Sequence, residues 1–226
     1  MSFRYSIIVP HYDGSISDET FERGIKCLLD QTEQNFEVLL YHDGPVSRPI
    51  PEVYKQFGDR CRLLITETRE NNWGHSNRDR GIKSAKGDYI VHFNPDNILY
   101  PHCLQQISSV IDNHTYPFDK NYGENCLISN NIIIFAIYMN GHFRFGSPKF
   151  KAFRFKKSQS SHRSIFTGDP CVLGNIDCLQ LVMKRNLWLT YGGWYNKDDI
   201  SDGLMYQRFV NDHGARYCSE ILGEHD

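Results

Sequence analysis

Residues 88–97 read Asp-Tyr-Ile-Val-His-Phe-Asn-Pro-Asp-Asn, a short apolar run of strand type that stops in a cluster of oxygen-bearing side chains. β-Branched and aromatic residues suit a sheet interior, whereas carboxylate and amide oxygens need water, a partner or a hard cation. Pro95 has a fixed φ and no N–H, so it cannot continue a central strand. Asn94 and Asp96 are therefore expected at the C-terminal end of a strand, where open α/β sheets hold their ligands.

The same ending occurs three times before it. Residues 5–9 run into Pro10, His11, Tyr12, Asp13 and Gly14; residues 36–41 run into His42, Asp43, Gly44 and Pro45; residues 61–66 lead to Glu70, Asn71, Asn72, Trp73 and Gly74. Four strands that each end in a polar, turn-forming loop predict a single rim. Between them, Phe21, Ile25, Leu28 and Leu29 recur at the spacing of one buried helix face. Residues 76–85 also read as a helix, with Gly87 suited to its C-terminal cap. Alternating strands and helices predict an α/β domain with a mainly parallel central sheet flanked by helices.

With 226 residues, 40% of them apolar, the chain can bury the core of one domain spanning residues 1–226. Residues 1–105 would form one half and residues 106–226 an elaborated second half. The formal net charge of -2 argues against a nucleic-acid partner. Residues 144–163 depart from that balance, carrying seven basic side chains, no acid and interleaved phenylalanines. They read as a partly solvated hairpin, as a basic flap over a phosphorylated ligand, or as a peripheral contact with anionic lipid. The seven scattered cysteines lack Cys-x-x-Cys spacing, which fits reduced thiols and a cytoplasmic setting. Nothing at the first strand reads as a signal peptide, and the longest apolar run, residues 132–139, reads as a buried strand too short to span a bilayer. Residues 113–125 are the expected long surface connection.

The rim lacks both Gly-x-Gly-x-x-Gly and Gly-x-x-x-x-Gly-Lys-Ser/Thr, which disfavours a dinucleotide oxidoreductase or a P-loop NTPase. It offers instead Asp43, Arg78, Arg80, Asn94 and Asp96. A carboxylate can accept from a base or ribose, guanidinium pairs with phosphate, and a carboxylate holds a divalent cation. Such a set suits a nucleoside diphosphate with its metal.

Three segments carry a resemblance: Ser-Ile-Ile-Val-Pro-His-Tyr at 6–12, Leu-Asp-Gln-Thr-Glu-Gln-Asn-Phe-Glu-Val-Leu-Leu-Tyr-His-Asp-Gly at 29–44, and Gly-His-Ser-Asn-Arg-Asp-Arg-Gly-Ile-Lys-Ser-Ala-Lys-Gly-Asp-Tyr-Ile at 74–90. Together with 94–96 they resemble the GT-A fold, family 2 glycosyltransferases. The resemblance implies a nucleotide-sugar donor, usually a UDP-sugar, and a Mn or Mg ion held through an Asp-x-Asp motif. It puts His11, Tyr12 and Asp13 at the nucleobase and ribose, Asp43 at the base, and Arg78 by the phosphates. Asn94 and Asp96 fall on the Asp-x-Asp site, with Asn94 in place of the first Asp and Asp96 as metal ligand. His42 and Asp79 also depart from the pattern, standing where Asp and Asn are usual.

In the second half, Asp202 begins a segment that resembles the family's Glu-Asp-x5-Arg motif, with Ser201 in place of the Glu. Asp202 is thereby the expected base, drawing the proton from an attacking sugar hydroxyl; Asp198 and Asp199 are rivals, and Asp202 could also cap the following helix. His225 is implied as a second metal ligand, against the plain alternative of a solvated terminal side chain. Asp177 and Trp194 are candidates for the acceptor side, with a turn carboxylate and core packing as their alternatives.

The expected activity is inverting transfer of a sugar to the hydroxyl of a glycan, lipid-linked or protein acceptor. The departures at His42, Asn94 and Ser201 keep open a catalytically degenerate module that binds nucleotide sugars or glycans. A sugar-phosphate nucleotidyltransferase is disfavoured by the absence of a Gly-rich loop at the first strand.

Overall fold

The computed structural model describes residues 3–113, 130–140, 163–198 and 200–226. Its elements run in the order β1 (Phe3–His11), α1 (Asp18–Leu29), β2 (Phe36–His42), β3 (Cys61–Ile65), α2 (His75–Ser84), β4 (Gly87–His92), β5 (Ile98–Leu99) and α3 (Cys103–Asp112). The second half adds β6 (Ile132–Asn140), β7 (Arg163–Phe166), β8 (Leu181–Lys184), α4 (Arg185–Thr190), α5 (Ser201–His213) and β9 (Arg216–His225). Short 3-10 segments at Glu52–Arg60 and Cys178–Gln180 precede β3 and β8.

One sheet joins these strands in the order β3-β2-β1-β4-β8-β6-β9-β5, with β7 on β6. The first four predicted strands are parallel neighbours, so their C-terminal ends do share one edge. β8 joins β4 antiparallel, and β6 then pairs antiparallel with β8 and parallel with β9. Successive strand residues alternate between two cores. Tyr5, Ile7, Val9, Val38, Leu40 and Val91 face α1 and α3, while Ile8, Leu39, Tyr41 and Ile90 face α2, α4 and α5. Pro10 lies inside β1, one step further than expected. The β1/β4 ladder stops there, after Phe93 N donates to Ile8 O (3.0 Å), because Pro10 has no N–H to extend it.

Gly87 is corrected by the structure. α2 ends on Ala85, and Gly87 opens β4 instead of capping the helix. A Cβ at 87 would press on the backbone of Tyr5 and Ser6, and Gly87 N donates to Ser6 Oγ (2.8 Å). Its glycine thus answers to strand proximity, not to a helix stop.

A second close approach sets the site. α1 is started by Ser17, whose side chain accepts from Thr20 N, and its buried face carries Gly24 against the turn after β4. A Cβ at Gly24 would overlap the carbonyl of Pro95. Gly24→Ala is therefore expected to destabilise the fold by about 1–3 kcal/mol through overpacking and to displace Asp96. Urea unfolding checks the first effect. A wild-type midpoint would show that the turn yields freely.

Candidate active site

Along the common strand edge runs a cleft of about 450 Å3 lined by Pro10, His11, Tyr12, Ser15, Ile16, Asp43, Arg69, Asn71, Trp73, Gly74, Asn94, Pro95 and Asp96. Seven of the expected residues are brought towards one another in this region, and five of them line it: His11, Tyr12, Asp43, Asn94 and Asp96; Arg78 lies behind the lining, holding Trp73 O and Asn94 Oδ1, and Asp13 lies just outside.

At the β2 side, Asp43 turns its carboxylate on the β3–α2 loop, accepting from Glu70 N (3.1 Å) and Asn71 N (3.3 Å). Each oxygen retains a lone pair for a ligand. Asp13 Oδ2 accepts from Ser47 N and Oγ (2.6 and 2.5 Å) and its Oδ1 meets His42 Nε2 (3.1 Å), while His42 Nδ1 meets Gly44 O (2.8 Å). Burial works against the Asp13 charge, but the Ser47 and His42 bonds outweigh it and hold its pKa well below the usual range. His42, where the resemblance has Asp, thus clasps two loops together. Tyr12 lies under the Arg69 guanidinium at 4.1 Å. His11 is 3% exposed with both ring nitrogens unpartnered. Burial and then the neighbouring His42 lower its pKa to about 4, so at neutral pH it offers one donor and one acceptor.

At the β4 side the organising group is Arg78, 3% exposed on α2. Its Nη1 donates to Trp73 O and its Nη2 to Asn94 Oδ1, both at 2.6 Å, and its guanidinium lies 5.2 Å from the Trp194 ring. One cation thereby ties the α2 loop to the turn after β4. An Asp at 94 would neutralise it; Asn94 leaves the charge standing, and among the described residues no carboxylate forms an ion pair with Arg78. In the same turn as Asn94, Asp96 Oδ1 is buried without a hydrogen-bond partner. Burial raises the Asp96 pKa, with His225 opposing.

β9 delivers His225 to this turn, since it pairs with both β6 and β5. His225 Nδ1 stands 3.4 Å from Asp177 Oδ2. Burial disfavours the imidazolium, but Asp177, and then Asp96 and Asp226, prevail and lift its pKa to about 9. Asp177 does form a turn, as the N-cap of the Cys178–Gln180 segment, while its other oxygen faces His225. Burial acts against its charge, but His225 keeps its pKa low. Asp177 also bears on Asp202. Burial first, then the Asp177 charge, push the Asp202 carboxyl up to about 6, with Arg78 pulling the other way. Asp202 occupies the first turn of α5, one residue past its start, and Ile200, not Asp202, is at the N-cap. The capping alternative is thus replaced by a partly buried acid near a neutral-range pKa. Of its rivals, Asp198 holds His75 Nε2 through its backbone carbonyl (3.0 Å), and Asp199 lies outside the described residues.

Trp194 takes the packing role. It is 1% exposed, stacked on Trp188 at 5.7 Å and on His75 at 5.4 Å, so its ring presents no face to an acceptor. Ser201 Oγ accepts from Trp194 Nε1 (3.2 Å) and meets His75 Nε2 (3.2 Å), which accounts for a hydroxyl where the resemblance has Glu. Asp79 accepts from Trp194 N (3.1 Å), seating the aromatic stack against α2. Sequence reasoning missed Arg69 and Gly24, neither of which belongs to a motif; for Trp73 the sequence allows stacking on a sugar with core packing as the default, and the fold leaves it open on the cleft wall. The basic segment lies outside the described residues apart from Arg163, which pairs with Glu224 and lies 4.0 Å from the Tyr138 ring. So does nearly all of the 113–125 connection, and so does Cys126; the six described cysteines are free. Among the described residues no helix is long and apolar enough to cross a membrane.

A family model described as Glycosyl transferase family 2 matches residues 6–160. The amylovoran biosynthesis glycosyltransferase AmsB of Erwinia amylovora is 30% identical over 112 residues, which are 48% of this chain and 36% of the relative. WfgD of Escherichia coli, a UDP-Glc:alpha-D-GlcNAc-diphosphoundecaprenol beta-1,3-glucosyltransferase, is 29% identical over 130 residues, 57% of this chain and 48% of the relative. The chain therefore spans about a third to a half of these relatives' length. Among solved structures, S. aureus TarS 1-349 in complex with UDP-GlcNAc matches with a TM-score of 0.66 at 14% identity, covering 99% of this chain and 58% of that one. The mannosyltransferase PcManGT from Pyrobaculum calidifontis, in complex with GDP-Man and Mn2+, matches with a TM-score of 0.63 at 10% identity, covering 100% and 57%. Both likenesses are likenesses of fold.

Proposed function

The chain belongs to glycosyl transferase family 2 and has a GT-A fold, and from that premise we propose that it transfers a sugar, with inversion, from a nucleoside-diphosphate donor to an acceptor hydroxyl. One observation carries the reading. Arg78, a buried guanidinium with no carboxylate partner among the described residues, holds Asn94 Oδ1, and two residues further along the same turn Asp96 carries a buried carboxylate oxygen without a hydrogen-bond partner, at the β4 side of the cleft. A diphosphate supplies oxygens to the first, and a divalent cation satisfies the second.

Arg78 would take the diphosphate charge, while His11, Tyr12, Asp13 and Asp43 frame the nucleoside end. Asp202 would accept the proton of the attacking hydroxyl as the new glycosidic bond forms. The bond from the anomeric carbon to the diphosphate breaks in the same displacement, its electron pair leaving on the phosphate oxygen. Attack from the face opposite the leaving group inverts the centre.

A Mn or Mg ion fits the donor chemistry of Asp96 Oδ1, buried without a hydrogen-bond partner, and of the His225 imidazole, whose Nδ1 stands 3.4 Å from Asp177 Oδ2. Among the described residues no three His, Cys, Asp or Glu side chains close around a cation. An ion held by Asp96 and His225 would therefore draw its other ligands from the diphosphate and water, and His225 would release its proton to join. Such a cation supplies positive charge to the departing diphosphate. The names of the relatives favour a UDP-sugar donor and a glycan acceptor, lipid-linked in the case of WfgD. A peripheral membrane contact through residues 144–163 would suit such an acceptor.

Thermal unfolding with UDP, GDP, CDP and dTDP, each with and without Mn, tests the donor site. One nucleotide at a hundred times its Kd should raise Tm by roughly 5–10 °C in the presence of Mn. Asp96→Ala should abolish the Mn-dependent part. No shift with any of the four would refute the donor site. Nucleotide binding without turnover of any nucleotide sugar would favour the degenerate binding module.

A further inference from the structure

The chain has three tryptophans, and they are treated very differently. Trp188 and Trp194 are 0% and 1% exposed in the core, whereas Trp73 is 68% exposed on the wall of the cleft. Its backbone is left-handed, φ 54, as is that of Asn71, φ 50. A bulky side chain reaches this region only where its surroundings impose it. Here they do so through the site itself: Asp43 accepts from Asn71 N, Asn72 O accepts from His75 N, and Arg78 donates to Trp73 O. The strained loop that holds out an indole is pinned by the groups assigned to the donor.

Its location narrows what the indole can meet. At the β2 side the aromatic ring is Tyr12, already covered by Arg69. Trp73 belongs to the other side, because one guanidinium binds both its carbonyl and Asn94 Oδ1. Beyond that guanidinium lies the start of α5. His75, whose ring centre is 6.1 Å from that of Trp73, reaches Asp198 O and Ser201 Oγ, and the Arg78 charge is felt by Asp202. The indole thus flanks the interval between the diphosphate-binding cation and the base, which the transferred sugar must occupy.

Resting on the donor reading above, we infer that Trp73 is the stacking platform for the hexose of the donor. The apolar C–H face of a pyranose lies flat on an indole and buries surface that both otherwise expose to water. This contact is available to a nucleotide sugar and absent from the nucleotide alone. Trp73 would bind and orient the sugar; it takes no part in proton transfer.

The test compares nucleoside diphosphates with nucleotide sugars. Calorimetric titration of wild type, Trp73→Phe and Trp73→Leu uses UDP, UDP-glucose, UDP-N-acetylglucosamine, GDP and GDP-mannose, with Mn present. Trp73→Leu should weaken the preferred nucleotide sugar about 10- to 50-fold and its nucleotide less than twofold, with Trp73→Phe intermediate. In wild type, acrylamide quenching of the exposed indole should fall with the nucleotide sugar and stay unchanged with the nucleotide. If wild type binds but Trp73→Leu weakens both ligands equally, or neither, the platform is refuted while the donor site stands. If wild type binds none of the five, the donor reading and this inference fall together.

Discussion

Asp202→Asn will cut kcat by about 10²- to 10⁴-fold, the range expected on losing a general base, and will at the same time make the protein harder to unfold. Both effects come from one fact: the carboxyl is pushed up to about 6 by burial and by Asp177. Its folded pKa exceeds the ordinary value of 3.8, so the folded state binds a proton more tightly than the unfolded chain. Below pH 3.8 both states are protonated and the site costs nothing. Between 3.8 and 6 the penalty grows, and above 6 the folded protein carries it in full. Asparagine removes the charge, so Asp202→Asn should gain about 1–3 kcal/mol at pH 7 and nothing at pH 3.5. Wild-type activity should rise with pH through about 6 and then level, because only the ionised form accepts a proton. Urea melts at the two pH values, with a pH–rate profile, check this. An Asp202→Asn protein that transfers sugar at the wild-type rate would send the search for the base to Asp198 or Asp199.

Arg78→Ala is expected to lower kcat/KM by roughly 10²- to 10³-fold, corresponding to about 3–4 kcal/mol for truncating a buried charged partner. The loss has two parts. The diphosphate forfeits its cation, and the cleft forfeits the bridge from Trp73 O to Asn94 Oδ1. Arg78→Lys separates them, since it keeps the charge but cannot reach both acceptors with a planar fork. A lysine variant close to alanine would assign the effect to geometry; one close to wild type would assign it to charge. Unimpaired Arg78→Ala turnover would remove the diphosphate from this end of the cleft.

The strands were legible because their ends are abrupt. Residues 5–9 and 36–41 give way within two residues to proline, glycine and acids, residues 61–66 lead into a polar loop, and the apolar run through Phe93 ends at Asn94–Pro95, a transition that the strand-edge environment imposes directly on composition. The buried run 132–139 was readable for the same reason, and matches β6. β9 was not. Arg216–His225 alternates too little, with exposed Ser219 and Glu220 amid buried Cys218 and Leu222, and its register on β6 shifts twice around Ala136. Its strand character comes from the two neighbours it pairs with. Gly24, Gly87 and Trp73 were opaque on a different ground. Glycine carries no chemistry to read, and whether a tryptophan packs or stands open depends on what the fold places over it.

The position of β9 has a bearing on how the protein is made. Among the described residues β5 pairs with β9 alone, so the ribosome must deliver more than a hundred further residues before Ile98 and Leu99 gain their partner. At about 5–20 residues per second that interval is on the order of ten seconds. During it the nascent chain can already zip β1 to β4, yet the Asp96 turn has nothing on its far side. Completion of the Asp96 turn would then wait on the strand Arg216–His225, and a chain stopped short of that strand would hold most of the sheet while lacking His225 beside the turn.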